Sequence, residues 1–183
     1  MRIISGYLKG KKINLPKDNL TRPLKDMVKE SIFNILEHSN EINFRIKNSL
    51  ILDLFSGSGS FGLECISRGA KYVYFSENYE QAIEILEKNI KRFDCEDKCK
   101  IFKDSCFNIA NNFKEKANII FMDPPFKEIK INELIELILE TKILENKGTI
   151  IIHRNSKIAE KITSKLKIFD TRSYGLSKII FAN

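Results

Sequence analysis

Apolar positions recur with two different periods along this chain, and the switches between them predict its elements. Val28, Ile32, Ile35 and Leu36 fall at i, i+4, i+7 and i+8, one face of a helix over 24–38. Ahead of it, residues 2–16 read as two short strands with turn glycines at Gly6 and Gly10. The polar stretch 39–48 reads as a linker. From Ser49 the pattern turns regular. Leu50-Ile51-Leu52-Asp53-Leu54 is a buried strand, followed by a glycine turn and a helix over 60–68. A strand over 72–76 leads to a helix over 79–92, with Ala82, Ile83, Leu86 and Ile90 on one face. Next come a strand over 99–103, a helix over 105–114, strand 118–122, helix 131–142 and strand 149–153. A helix over 156–165 and two strands, 167–173 and 178–182, close the chain. Strands alternating with helices predict an α/β fold whose parallel sheet is covered on both faces.

The 183 residues suffice for one domain with a proper core and a small appendage. With 43% apolar and 30% charged residues, the composition is that of an ordinary globular protein. No apolar stretch is long enough to span a bilayer and no signal-peptide pattern opens the chain, so a cytoplasmic location is expected. Cys65, Cys95, Cys99 and Cys106 form no CxxC pair and only two histidines accompany them, so free thiols and no metal are expected. The net charge of +7 is uneven. Residues 1–30 hold eight basic and three acidic side chains, and residues 151–183 seven and two, around a slightly acidic middle. Basic ends suit a polyanionic partner, although a solvated lysine-rich surface has the same composition.

Two motifs carry candidate chemistry. Asp123-Pro124-Pro125-Phe126 ends the apolar run 118–122. Two prolines fix φ, remove two backbone donors and hold the preceding residue extended, which makes a rigid ledge of carbonyls beside a carboxylate and a ring. Such a ledge suits a planar group with an exocyclic amine, Asp123 and a carbonyl accepting its N–H bonds and Phe126 stacking on its ring. The plain alternative is a strand-to-loop turn with an incidental aromatic. The second motif, Gly57-Ser58-Gly59-Ser60-Phe61-Gly62, links a strand to a helix, and Glu77 follows Gly57 by 20 residues. This is also the dinucleotide fingerprint, so an NAD(P)-linked oxidoreductase is a rival reading. Asp53, pointing into that loop, repels a pyrophosphate but suits the cationic amino-acid tail of S-adenosylmethionine. Glu77 would then accept from ribose hydroxyls. Asp104, followed by Ser105, would accept from the adenine amino group, or serve as a helix N-cap. Phe55 is either a cofactor wall or core. Asp53, Glu77, Asp104 and Asp123 all fall at strand ends, where ligands of open α/β sheets lie.

Residues 52–64 with Ser67-Arg68-Gly69-Ala70, the segment Arg22-Pro23-Leu24-Lys25-Asp26-Met27, the Asp-Pro-Pro-Phe motif and Tyr174-Gly175 closely resemble the RsmD-type methyltransferases, and the resemblance spans nearly the whole chain. It departs at Leu24, where that family usually has Thr, at Met27 (Arg), at His153 (often an acid) and at Asn78. It implies a Rossmann-like class I methyltransferase: a mostly parallel seven-stranded sheet with an antiparallel C-terminal strand and a small N-terminal hairpin and helix. Residues 1–40 would be an RNA-contacting extension and 41–183 the S-adenosylmethionine domain. The implied reaction methylates a guanine N2 of 16S ribosomal RNA in the small subunit or an assembly intermediate. Asp123, Pro124, Pro125 and Phe126 would be catalytic, Asp53, Phe55, Gly57, Gly59, Glu77, Asp104 and Ser105 would hold cofactor, and Arg2, Lys9, Lys11, Lys12 and Arg22 would hold RNA. A monomer is expected. An adenine-N6 or cytosine-N4 methyltransferase remains the nearest alternative, because the ledge serves any ring amine. His153 reads as a partly buried structural histidine with a site role as the alternative, and His38 as a helix C-terminal cap.

Overall fold

The computed structural model describes residues 1–16, 24–125, 130–158 and 161–183. Helix α1 (Asp26–His38) precedes β1 (Leu50–Leu54), α2 (Ser60–Ser67), β2 (Tyr72–Ser76), α3 (Glu80–Arg92), β3 (Cys99–Phe102), α4 (Cys106–Asn112), β4 (Ala117–Met122), α5 (Ile131–Thr141), β5 (Leu144–Asn155), β6 (Ile168–Tyr174) and β7 (Ser177–Ala182). The seven strands form one sheet in the order β3-β2-β1-β4-β5-β7-β6. The first five neighbours pair in parallel, and β7 runs antiparallel to both β5 and β6. The chain steps outward from β1 to β3 and then returns to place β4 on the other side of β1. Their carboxyl ends therefore flank the crevice at a topological switch point.

Period-2 alternation sorts each strand's residues onto two faces. Ile51, Ile119, Phe121 and Ile151 join the cluster that includes residues of the N-terminal segment and of α1, α2 and α3. Leu52, Leu54, Ile120, Met122, Ile150 and Ile152 join the cluster under α4 and α5. Every strand of this central group is buried on both faces, which is why its sequence is a continuous apolar run. The α3 face expected from the periodicity, Ala82, Ile83, Leu86 and Ile90, is buried. Helix α2 lies very close to the sheet. A Cβ on Gly62 would stand 2.2 Å from the Phe75 ring.

The two N-terminal strands reduce to one antiparallel bridge, Arg2 to Lys12. Backbone bonds such as Ile3 N to Lys11 O and Ile13 N to Met1 O flank the bridge, and side chains elsewhere serve other amides of the segment: Glu64 accepts from Ile4 N and Ser5 N, Ser67 from Leu8 N, and Asn89 from Asn14 N. Ile3, Leu8 and Ile13 bury into the same cluster as the sheet. The N-terminal segment thus shares its core with the rest of the chain.

The helix expected over 156–165 is absent among its described residues, a correction to the sequence reading. Ile158 and Ile162 have helical spacing, yet Ile158 is exposed. Here β5 extends to Asn155 and the chain turns, with Ser156 N donating to Leu176 O. Asn132 of α5 then satisfies the returning backbone, accepting from Thr163 N at 2.9 Å and donating to Lys161 O at 3.0 Å. Tertiary side-chain bonds have displaced helical ones at this point.

Candidate active site

Asp53 is the penultimate residue of β1 and faces α2, as the alternation from Ile51 requires. Its side chain is buried. Oδ2 accepts from Gly62 N at 3.1 Å, and Oδ1 is buried without a hydrogen-bond partner among the described residues. Burial pushes its carboxyl well above the usual carboxylate range, with the charges of Asp123 and Glu77 adding to the rise against the opposing Gly62 N–H bond. A buried carboxylate oxygen with nothing to accept is a site prepared for a donor, and a cationic donor would repay the desolvation best.

The loop after β1 wraps around this acid. Phe55 has φ +68°, a left-handed conformation uncommon for an aromatic residue, and its N–H with that of Ser56 is held by Ser76 O. Gly59, at φ +84°, caps α2, and a Cβ there would lie 2.4 Å from Leu86 Cδ1. Gly57 is left-handed too, but a Cβ on it would meet nothing within 4 Å, so this part of the loop faces open space. Glu77 braces the loop. Its Oε2 accepts from Gly57 N at 2.8 Å while Oε1 accepts from Asn78 N and Tyr79 N. At the end of β3, Asp104 Oδ1 accepts from Ser105 N and Asn108 Nδ2. The N-cap of α4 is Ser105, whose hydroxyl accepts from Asn108 N, so the capping role falls one residue later than expected.

Asp123 leaves β4 on the same face as Asp53, and the two are close enough for Asp123 to raise the Asp53 carboxyl. Asp123 is 20% exposed at the side chain; Pro124 is buried and Pro125 exposed. Phe126 and Arg22 lie outside the described residues. His153 on β5 places Nδ1 2.7 Å from Asp123 Oδ1. The histidine read mainly as structural is thus in direct contact with the central acid.

The basic residues do not converge on these acids. The Arg2 carbonyl accepts from Lys29 Nζ, which also reaches Ser60 Oγ at the start of α2, beside the glycine loop. Lys9 and Lys11 lie at the other end of the sheet, where Tyr7 N donates to Ser67 O, Lys98 Nζ stands over the Tyr7 ring and Lys11 Nζ over the Phe93 ring. Lys12 lies between, bridged to Arg2. Sequence reasoning missed Asn89, which is fully buried on α3. Its Nδ2 donates to both Asn14 O and Ser58 O, tying the N-terminal segment to the glycine loop. An amide on an otherwise apolar helix face was the available signal.

A pH prediction arises from Asp53. Its native carboxyl titrates above the unfolded one, so the native state holds the extra proton in the interval between them. Stability should therefore fall as pH rises from the ordinary carboxylate range toward the raised value. Urea unfolding of the ligand-free protein across that interval should show this slope, and Asp53→Asn should flatten it. An unchanged slope in the variant would remove Asp53 as its source.

A family model described as "Conserved hypothetical protein 95" matches residues 1–183. The chain is 31% identical over 183 residues to "Putative rRNA methyltransferase YlbH" of Bacillus subtilis, covering 98% of this chain and 96% of that protein. It is 31% identical over 163 residues to "Ribosomal RNA small subunit methyltransferase D" of Buchnera aphidicola subsp. Baizongia pistaciae, with 89% and 80% covered. Among solved structures, "Putative methyltransferase yhhF from Escherichia coli" superposes with a TM-score of 0.85 at 24% identity, over 100% of this chain and 96% of that one. The fold is that of class I methyltransferases.

Proposed function

Because the chain belongs to the family described as conserved hypothetical protein 95, the RsmD family, we propose that it transfers a methyl group from S-adenosylmethionine to the exocyclic N2 of a guanine in 16S ribosomal RNA. The observation that carries this reading is the pairing of two features across the switch point. One is the buried, unpartnered Asp53 Oδ1 under the glycine loop, and the other is the Asp123-Pro124-Pro125 ledge beside it. The relatives' names support an rRNA substrate, and the sequence resemblance supports the choice of N2.

The residues present fit the cofactor. Asp53 Oδ1 would accept from its ammonium, Gly57 leaves the loop open where the cofactor would lie, Gly59 lets the loop pack against Leu86 beneath it, Glu77 would meet the ribose, Asp104 and Ser105 the adenine edge, and Phe55 would wall the pocket. Bound there, S-adenosylmethionine supplies an electrophilic methyl on a sulfonium. A ring amine is a poor nucleophile because its lone pair is delocalised. Asp123 and the Pro124 carbonyl would accept its two hydrogens, favouring a more tetrahedral nitrogen whose lone pair is aimed at the methyl. The amine grows acidic as it is alkylated, and Asp123 is placed to receive the proton. Pro125 keeps the ledge rigid and Phe126 would stack on the extruded base, a contact worth about 1–3 kcal/mol. Most of the acceleration is positioning and electrostatics.

RNA backbone contacts would fall to Arg2, Lys9, Lys11, Lys12 and Arg22. Because Lys9 and Lys11 lie the length of α2 from the glycine loop, about 12 Å at 1.5 Å per residue, such a footprint runs down the side of the molecule. Charge reversal at Lys11 and Lys12 together should lower the logarithmic salt slope of RNA binding by about 2. An unchanged slope would take this flank out of the interface.

The function itself is tested by transfer of labelled methyl to small ribosomal subunits lacking the modification, followed by nucleoside analysis. Label in N2-methylguanine supports the reading. Label in N6-methyladenine or N4-methylcytosine, or none despite cofactor binding, overturns it.

A further inference from the structure

We infer that His153 is a positioning residue for Asp123, holding one carboxylate oxygen so that the other faces the substrate amine. The inference rests on the reading of Asp123 as the acceptor of that amine.

The arrangement begins in the sheet. Strands β4 and β5 pair with Met122 opposite Ile152, so the next residues, Asp123 and His153, are neighbours on the face shared with Asp53. The two side chains meet through His153 Nδ1 and Asp123 Oδ1 at 2.7 Å. Asp123 as a carboxylate has no hydrogen to give, so the Nδ1 hydrogen belongs to the imidazole. The histidine is well placed to hold something still. Its backbone lies inside a strand paired on both sides, with Ile179 of β7 opposite it, and its side chain is only 9% exposed. Asp123, by contrast, lies just past the end of its own strand and is more open. Without a donor on Oδ1, that carboxylate could rotate its acceptor edge away from the crevice. It also stands close enough to the Asp53 carboxyl for the two to repel, and such a neighbour favours turning outward to water. The imidazole donor opposes both tendencies.

A substitution series on the full-length protein tests this. Leucine at 153 fills similar volume without a donor. Asparagine offers an amide N–H where Nδ1 stands. For His153→Leu, kcat on small subunits should fall about 10- to 100-fold, the scale of a misplaced reacting group. KM for the subunit and affinity for S-adenosylhomocysteine should stay within about twofold. His153→Asn should recover most of the loss. All rates are normalised to the fraction of protein that binds S-adenosylhomocysteine, which removes misfolded material. Because His153 acts through Asp123, the double variant with Asp123→Asn should be no slower than Asp123→Asn alone. Wild-type kcat in His153→Leu, equal losses in the leucine and asparagine variants, or additive losses in the double variant would each overturn the inference. The Asp123→Asn single variant separates the two levels. Near-normal turnover there defeats the reading of Asp123 itself, whereas a dead Asp123→Asn beside a fully active His153→Leu defeats only the role of His153.

Discussion

Asp123→Ala should lower methyl transfer by about 10²–10⁴-fold, the range for loss of a positioned proton acceptor or of a group aimed at developing charge. The side chain stands at the carboxyl end of β4, across the switch point from the glycine loop, and is the acceptor proposed for the amine. Alanine removes the carboxylate but leaves Pro124 and Pro125, so the ledge persists and only one acceptor is lost. Cofactor affinity should change little, since the residues assigned to it belong to β1, β2 and their following loops and to the end of β3. A second consequence follows from the charges. Asp123 is the larger of two like charges that raise the Asp53 carboxyl, after burial itself. Its removal should move the Asp53 titration down toward the ordinary range, and with it the upper end of the interval over which stability falls with pH. Asp123→Asn keeps the shape and can still accept from His153, but it presents an amide N–H where an acceptor is needed, so it should be nearly as slow as alanine. Single-turnover transfer measured alongside S-adenosylhomocysteine binding checks these statements. Near-normal turnover in both variants would remove Asp123 from the reaction.

Elements that bury a continuous face were legible in the sequence. The run Leu50–Leu54 and the stripe Ala82, Ile83, Leu86, Ile90 carry their period openly, and both are buried as expected. The acids at strand ends were legible for the same reason, because strand ends are visible wherever apolar runs stop. Neighbours across the sheet were not. The order that returns β4 to the side of β1 and sets β5 beside it depends on long-range packing, so contact between Asp123 and His153, 30 residues apart, leaves no local mark. The stretch 156–165 failed in the opposite way. Its spacing is helical, but the bonds that decide it come from Asn132 and from the turn between β6 and β7. Polar residues buried by partners from distant elements were illegible too. Lys29 of α1 is buried between Glu64 and Ser60 of α2 and the Arg2 carbonyl, partners that the periodicity of α1 does not show.

That lysine belongs to the feature with the largest expected effect on stability. Glu64 is fully buried, and each of its oxygens serves two groups: Oε2 accepts from Ile4 N at 2.7 Å and faces Lys29 Nζ at 3.6 Å, while Oε1 accepts from Ser5 N and from Arg68 Nε, both at 2.9 Å. Lys29 is equally buried, and burial lowers its pKa while the Glu64 charge resists the fall. Replacing Glu64 by leucine leaves a buried ammonium without its counter-charge and two backbone N–H groups without an acceptor. Breaking a buried pair from one side costs about 3–5 kcal/mol, a large part of the roughly 5–15 kcal/mol that holds a domain folded. Urea unfolding should show the loss, and Glu64→Leu combined with Lys29→Met should recover part of it, because the buried ammonium is then gone; the orphaned Ile4 and Ser5 amides, and an Arg68 guanidinium left with Glu37 alone, limit the recovery. The pH dependence gives the sign independently. With Glu64 gone, the native pKa of Lys29 drops further below its unfolded value, so the unfolded state binds the extra proton between the two. The single variant should therefore regain stability as pH rises through that interval, and the double variant should not. A Glu64→Leu protein within about 1 kcal/mol of wild type at neutral pH would mean that the network contributes little. The consequence for the site is direct, since α2 begins at the glycine loop and Glu64 fastens the N-terminal segment to its middle. Loosening that bond should free the segment carrying Arg2 before it disturbs the sheet that carries Asp123.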